Sequence, residues 1–168
     1  MQKEIPSVTF QVDHEKMNCG IFLPMTETIG GIPVKTLDIR VAKPYCDAVL
    51  TTGETHTVEH MLATGVRAIA DERIKVLYFG PMGCCTGFYL LLAGNFSDLE
   101  AIRFLRAGTE KALEMTVCPA ANRRQCGNCL TLLPVGKVRP VLEKIRELCL
   151  ACEARNGFDT YTYLEPSR

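Results

Sequence analysis

The chain has 168 residues, 47% of them hydrophobic and 23% charged, with nineteen basic side chains balanced by nineteen acidic ones. That size and mix fit one globular domain, 1–168, and exclude a disordered chain. The balanced charge offers no electrostatic footprint for nucleic acid or an anionic membrane surface, so neither is expected as a partner. The opening MQKEIPSVTF has no basic region followed by an apolar run, and no apolar stretch reaches transmembrane length. A cytoplasmic location follows as the expectation, and with it reduced thiols for the nine cysteines.

Residues 34 to 41 alternate, with Lys35, Leu37, Ile39 and Val41 on one face and Val34, Thr36, Asp38 and Arg40 on the other, which predicts a strand whose second face carries charge. From Thr55 to about Ala70 the apolar residues Val58, Met61, Leu62, Val66 and Ile69 fall at helical spacing. Ile74 to Phe79 is β-branched and aromatic and predicts a strand; after the punctuation Gly80-Pro81-Met82-Gly83 another runs from Cys85 to Ala93. Ser97 with Glu100 three residues on is a capping box and opens a helix to about Met115. A loop with Pro119, Asn122 and Gly127 leads to a last helix over 137–154, with Pro140 placed in its first turn. The expected fold is α+β, a largely antiparallel sheet with about three helices packed on one face.

His56-Thr57-Val58-Glu59-His60 puts two imidazoles one helical turn apart on the same face, close enough to share one ion, with Glu59 beside them as a base that need not be a ligand. The bland alternative is a solvated pair of histidines. Two of the chain's three histidines are here, and a thiol-rich loop further on can supply a third ligand. Two imidazoles and a thiolate suit Fe(II), Co(II) or Zn(II) and leave a coordination position open.

Cys126-Gly127-Asn128-Cys129 and Cys149-Leu150-Ala151-Cys152 are two C-x-x-C pairs, the spacing of a four-thiolate zinc site. Against that assembly, Cys149 and Cys152 fall on the apolar stripe of the last predicted helix. In Gly83-Cys84-Cys85-Thr86-Gly87 the glycines permit close approach of a ligand, and a cation nearby would favour the Cys84 thiolate; the alternative is a packing role beside Phe88.

Five segments, in order, carry a family resemblance: Val12-Asp13-His14; Leu37-Asp38-Ile39-Arg40; His56-Thr57-Val58-Glu59-His60; Gly80-Pro81-Met82-Gly83-Cys84 with Thr86-Gly87-Phe88-Tyr89; and Pro119-Ala120-Ala121-Asn122 with Gln125-Cys126-Gly127. Together they resemble the S-ribosylhomocysteine lyase family, which makes the precursor of autoinducer-2. The resemblance implies that His56, His60 and Cys126 ligate one divalent metal per subunit, Fe(II) first with zinc or cobalt able to replace it. It further implies that Glu59 and Cys84 are the acid–base residues, that His14 and Arg40 help hold substrate, and that the protein is a homodimer with active sites at the interface.

The implied reaction moves a carbonyl along the ribose until the sulfur lies β to it, then eliminates homocysteine and leaves 4,5-dihydroxy-2,3-pentanedione. Tyr78 and Gly80 stand where the family usually has an acidic residue and a Ser, Cys85 stands where Arg or Gln is common, and Cys129 has no counterpart. Two rivals share parts of the pattern: an inverted-motif zinc peptidase built on His56, Glu59 and His60, and a non-catalytic zinc-binding module built on the two C-x-x-C pairs.

Overall fold

A computed structural model describes residues 8–164. The ends of the expected 1–168 domain, residues 1–7 and 165–168, lie outside the described residues. Four strands form one antiparallel sheet, β1 (Gly20–Ile29), β2 (Ile32–Arg40), β3 (Lys75–Pro81) and β4 (Gly87–Ala93), in the order β1-β2-β4-β3. The helices are α1 (Thr52–Ala68), α2 (Asp98–Leu113) and α3 (Val135–Ala154). This is the expected α+β class.

β1 is absent from the sequence expectation, yet its turn is written in the chain. Gly30 and Gly31 have φ of 59° and 83°, the left-handed pair that a two-residue hairpin turn requires. The β1 sequence hides the strand because only its first half is buried, while the far half projects past the core and carries polar residues. α1 begins three residues ahead of the predicted Thr55, where Thr51 and Glu54 complete a capping box. The second box, Ser97 with Glu100, opens α2 as predicted. Pro140 is not in the first turn of α3: the helix starts at Val135, so the proline falls in the second turn and removes one N–H from the ladder.

One core joins the sheet to the helices. Leu37 and Ile39 of β2 and Phe88, Leu90 and Leu92 of β4 meet Val58, Met61, Leu62 and Val66 of α1, Ile102 and Leu105 of α2, and Leu142, Ile145 and Cys149 of α3. α1 and α2 cross where both lack a side chain. A Cβ at Gly65 would collide with the carbonyl of Gly108, and a Cβ at Gly108 would lie 2.6 Å from Cγ1 of Val66.

Strand alternation sends Asp38 and Arg40 to the opposite face of the sheet, where they are buried at 1% and 3% exposure. The charge on that face was legible; its cover was not. After α3 the chain returns along the helix-free face. Asp159 N–H donates to Ile21 O, Asp13 N–H to Thr162 O and Leu164 N–H to Gln11 O, each at 2.8 Å. Val12, Met17 and Phe22 form a second small core there, with Tyr161 packed against it. No helix of the described residues is long and apolar enough to cross a membrane.

Candidate active site

The metal-ligand candidates converge. One ligand atom each from His56, His60 and Cys126 lies within 4.8 Å of the other two, and this is the only such cluster of three among the described residues. α1 supplies both imidazoles from one face while Val58, Met61 and Leu62 anchor its other face in the core. The rings meet edge to face with centroids 4.7 Å apart. Cys126 arrives from the loop after α2. The carbonyl of Asn122 accepts from Cys126 N–H at 3.0 Å, and the sulfur comes to 3.4 Å from His56 Nε2.

The outer nitrogens fix which atoms face the centre. His60 Nδ1 lies 2.8 Å from the carbonyl of Pro119, which can only accept, so in the neutral ring that nitrogen carries the proton and Nε2 has the lone pair. Thr131 donates its hydroxyl to Asn128 O at 3.0 Å and therefore accepts from His56 Nδ1 at 2.6 Å. Both histidines thus present a bare Nε2, the form that binds a metal, and both are oriented through their other nitrogen. Leu133 N–H donates to Thr57 Oγ1 at 2.8 Å and ties the Thr131 segment down onto α1. The donor set fits one divalent ion with an open position. Glu59 is adjacent: its carboxylate is 3.9 Å from His60 Nε2 and one third exposed.

Cys84 is not part of the ligand cluster. It lines an open cleft of about 550 Å³ with His14, Arg40, Asp47, Thr86 and Tyr89. Arg40 is clamped by Asp38, donating Nε–H to Oδ1 at 2.8 Å and Nη2–H to Oδ2 at 3.0 Å. Its Nη1 donates to Thr86 Oγ1 at 2.7 Å and approaches the Cys84 sulfur at 3.5 Å. The Thr86 hydroxyl accepts from Arg40 through one lone pair, and its proton can be donated to the Cys84 sulfur 3.0 Å away when that sulfur is a thiolate. Burial opposes the thiolate, but the Thr86 hydrogen bonds and the Arg40 charge outweigh it and hold the Cys84 thiol below its ordinary value. Burial works against the Arg40 charge too, and Asp38 more than compensates, raising its pKa. His14 Nδ1 contacts the carbonyl of Val12 at 2.9 Å, leaving Nε2 for a ligand.

Within one chain the predicted residues fall into two groups. His56, His60, Cys126 and Glu59 form one group; Cys84, Arg40 and His14 form another, and none of the metal-ligand candidates lines the cleft. The two C-x-x-C pairs do not assemble either. Cys149 and Cys152 are fully buried in α3. Burial pushes the Cys149 thiol far up, and burial with Asp159 pushes Cys152 up to about 11, so both stay protonated; Cys149 packs as an apolar group, while the Cys152 sulfur contacts Arg155 and Asp159.

Sequence reasoning missed Thr131 and Thr86, which touch site residues, and Tyr161, which touches Asp38, the partner of Arg40. Only Thr86 carried a signal, through its place beside Cys84. Tyr78 and Gly80 prove to be coupled: the Tyr78 ring occupies the space where a side chain at position 80 would stand.

Residues 7–137 match the family model described as S-ribosylhomocysteinase (LuxS). An S-ribosylhomocysteine lyase of Clostridium acetobutylicum is 34% identical over 146 residues, covering 83% of this chain and 92% of the relative. One from Porphyromonas gingivalis is 38% identical over 143 residues, covering 80% and 85%. One from Borreliella afzelii is 34% identical over 121 residues, covering 71% and 77%.

Proposed function

The chain belongs to the S-ribosylhomocysteinase (LuxS) family, and we propose from that premise that it cleaves S-ribosylhomocysteine to homocysteine and 4,5-dihydroxy-2,3-pentanedione as a carbon–sulfur lyase. The observation that carries the proposal is the clustering of His56, His60 and Cys126 beside Glu59, with both imidazole Nε2 atoms bare. A divalent ion bound there, Fe(II) by preference with zinc or cobalt as substitutes, supplies Lewis acidity toward a sugar carbonyl. The resemblance favours Fe(II), and the mixed nitrogen–sulfur donor set accepts all three.

The chain's own residues move protons. Shifting a carbonyl along the ribose requires a proton to leave one carbon and return to its neighbour, with a matching transfer between the oxygens. Glu59, partly exposed at the mouth of the ligand cluster, and Cys84, held toward its thiolate by Arg40 and Thr86, are the two groups poised to take and return it. The last step removes a proton α to the carbonyl as the C–S bond breaks, and homocysteine leaves with the bonding electrons and takes up a proton. Electrons balance without a redox partner. His14 and Arg40 border the cleft in which the substrate lies.

Two groups of catalytic residues make sense in a homodimer whose sites lie between subunits, the ligand cluster and Glu59 of one copy facing the Cys84 cleft of the other. Met25, Ile29, Ile32 and Tyr78 supply exposed apolar area on the helix-free face, as an interface would need. The proposed setting is the cytoplasm, and the product's chemistry suits autoinducer synthesis as well as homocysteine recycling. The test is thiol release from S-ribosylhomocysteine by protein purified without oxygen and loaded with Fe(II). Release that stops on chelation supports the lyase; no thiol from fully loaded protein rejects it.

A further inference from the structure

The family match ends at residue 137, and beyond it the chain does something the matched region does not account for. After α3 it turns back and lies on the helix-free face. The turn is held by the ion pair of Arg155 with Asp159 at 2.7 Å and by Asp159, whose Oδ2 accepts from Ile21 N–H at 2.8 Å. Asp159 pairs with Phe22 and Tyr163 with Val12 as isolated bridges, so this strap spans from β1 to the segment that bears His14. Between those bridges, Tyr161 stacks on Phe22 with ring centroids 4.5 Å apart and planes 8° from parallel. Its hydroxyl donates to Asp38 Oδ2 at 2.9 Å.

We propose that Tyr161 is a positioning residue for Cys84, acting through the Asp38–Arg40 pair, so that the C-terminal strap is a working part of the cleft. This rests on the lyase reading only for the use made of Cys84; the linkage itself stands on the contacts. Asp38 is 1% exposed and its Oδ2 has two donors, Arg40 Nη2 and Tyr161 Oη. A hydrogen bond from Tyr161 withdraws negative charge from that carboxylate. More of the guanidinium charge is then left for the atoms at Nη1, which are Thr86 Oγ1 and the Cys84 sulfur. The phenol is a reliable donor in that position: burial first, and then Asp38, push the Tyr161 pKa far up, so the proton stays on oxygen.

The same contact fixes the guanidinium mechanically. With Nε and Nη2 both locked on Asp38, the plane of Arg40 has one orientation, and that orientation aims Nη1 at the thiol. The other ionisable groups near Cys84 are its neighbour Cys85, Tyr89 on β4, whose burial favours its protonated form, and His14, Tyr45 and Asp47, which line the same cleft.

The experiment follows the rate of Cys84 alkylation by iodoacetamide against pH, read on the peptide that contains it, in a Cys85→Ser background so that one thiol reports. No metal or substrate is needed, so the result stands whether or not the parent protein releases homocysteine. Tyr161→Phe keeps the ring on Phe22 and removes only the hydroxyl. Its alkylation midpoint should move to higher pH by about half a unit, a roughly threefold loss of thiolate at a fixed lower pH. Tyr163→Phe, on the same strap with no contact to Asp38, should match the parent. A Tyr161→Phe profile that superimposes on the parent overturns the proposal. An equal shift in Tyr163→Phe also overturns it, since the effect would then belong to the strap as a whole.

Discussion

Cys126 and His56 are seventy residues apart in sequence, and the sulfur of one lies 3.4 Å from Nε2 of the other. The contact closes a ligand triangle that α1 alone leaves open on one side. It also separates two possible uses of the chain's cysteines, because Cys149 and Cys152 are spent in the core. One metal per chain should be lost in Cys126→Ala and kept in Cys149→Ala, as measured by elemental analysis after gel filtration. Equal loss in both variants would restore the two-pair zinc module.

Thr131 holds the outer nitrogen of His56. Thr131→Val keeps the shape and removes the acceptor, so the imidazole loses both its orientation and its fixed tautomer. Metal affinity should fall about 10- to 100-fold, with Thr131→Ser close to the parent, in a competition titration against a chromogenic chelator.

Glu59→Gln should retain fold and metal while turnover drops about 10²- to 10⁴-fold, the usual contribution of a positioned acid–base group. Homocysteine release and metal content measured on the same sample decide it. Normal turnover would remove Glu59 from the proton path.

Cys84 is held below its ordinary thiol value, with Thr86 the largest favourable contributor. Thr86→Val removes the donated hydrogen bond, which destabilises the thiolate relative to the thiol. The sign is therefore upward: the alkaline-rising limb of turnover against pH should move to higher pH, and at any pH below the midpoint each unit costs tenfold in thiolate. An unmoved limb would place another group in control of that limb.

A shared site predicts rescue between dead variants. His56→Ala and Cys84→Ala should each be inactive alone. Unfolded together and refolded as a mixture, they should return roughly a quarter of the parent rate, because half of random dimers carry one complete site of two. Absence of any rescue, with mixed dimers shown by mass spectrometry, would place both groups within a single subunit.

Much of the fold, and the residues that form the His56, His60 and Cys126 cluster, could be read from the sequence. Regular spacing exposed α1, and its His-x-x-x-His pair sits on a face the helix must leave outside the core. β1 escaped because half of it projects past the core and shows no buried alternation, though Gly30-Gly31 announced the turn. Asp38 and Arg40 were placed correctly on the second face of β2, but alternation says only which way a side chain points, not what later covers it. Thr131 and Tyr161 were invisible for the same reason: a hydroxyl gains its role from a partner that lies 75 or 123 residues away. No local pattern encodes such a contact.

The Gln11–Leu164 hydrogen bond places the beginning of the described chain against its end. Residues 159–164 are made long after the segment that bears His14, so the His14 side of the cleft stays unclasped until that distant strap has been added. The same closure holds residues 11 and 164 side by side. A backbone cut at the exposed Gly30-Gly31 turn should therefore leave both groups of site residues in place, since that turn lies far along the sheet from the strap contacts.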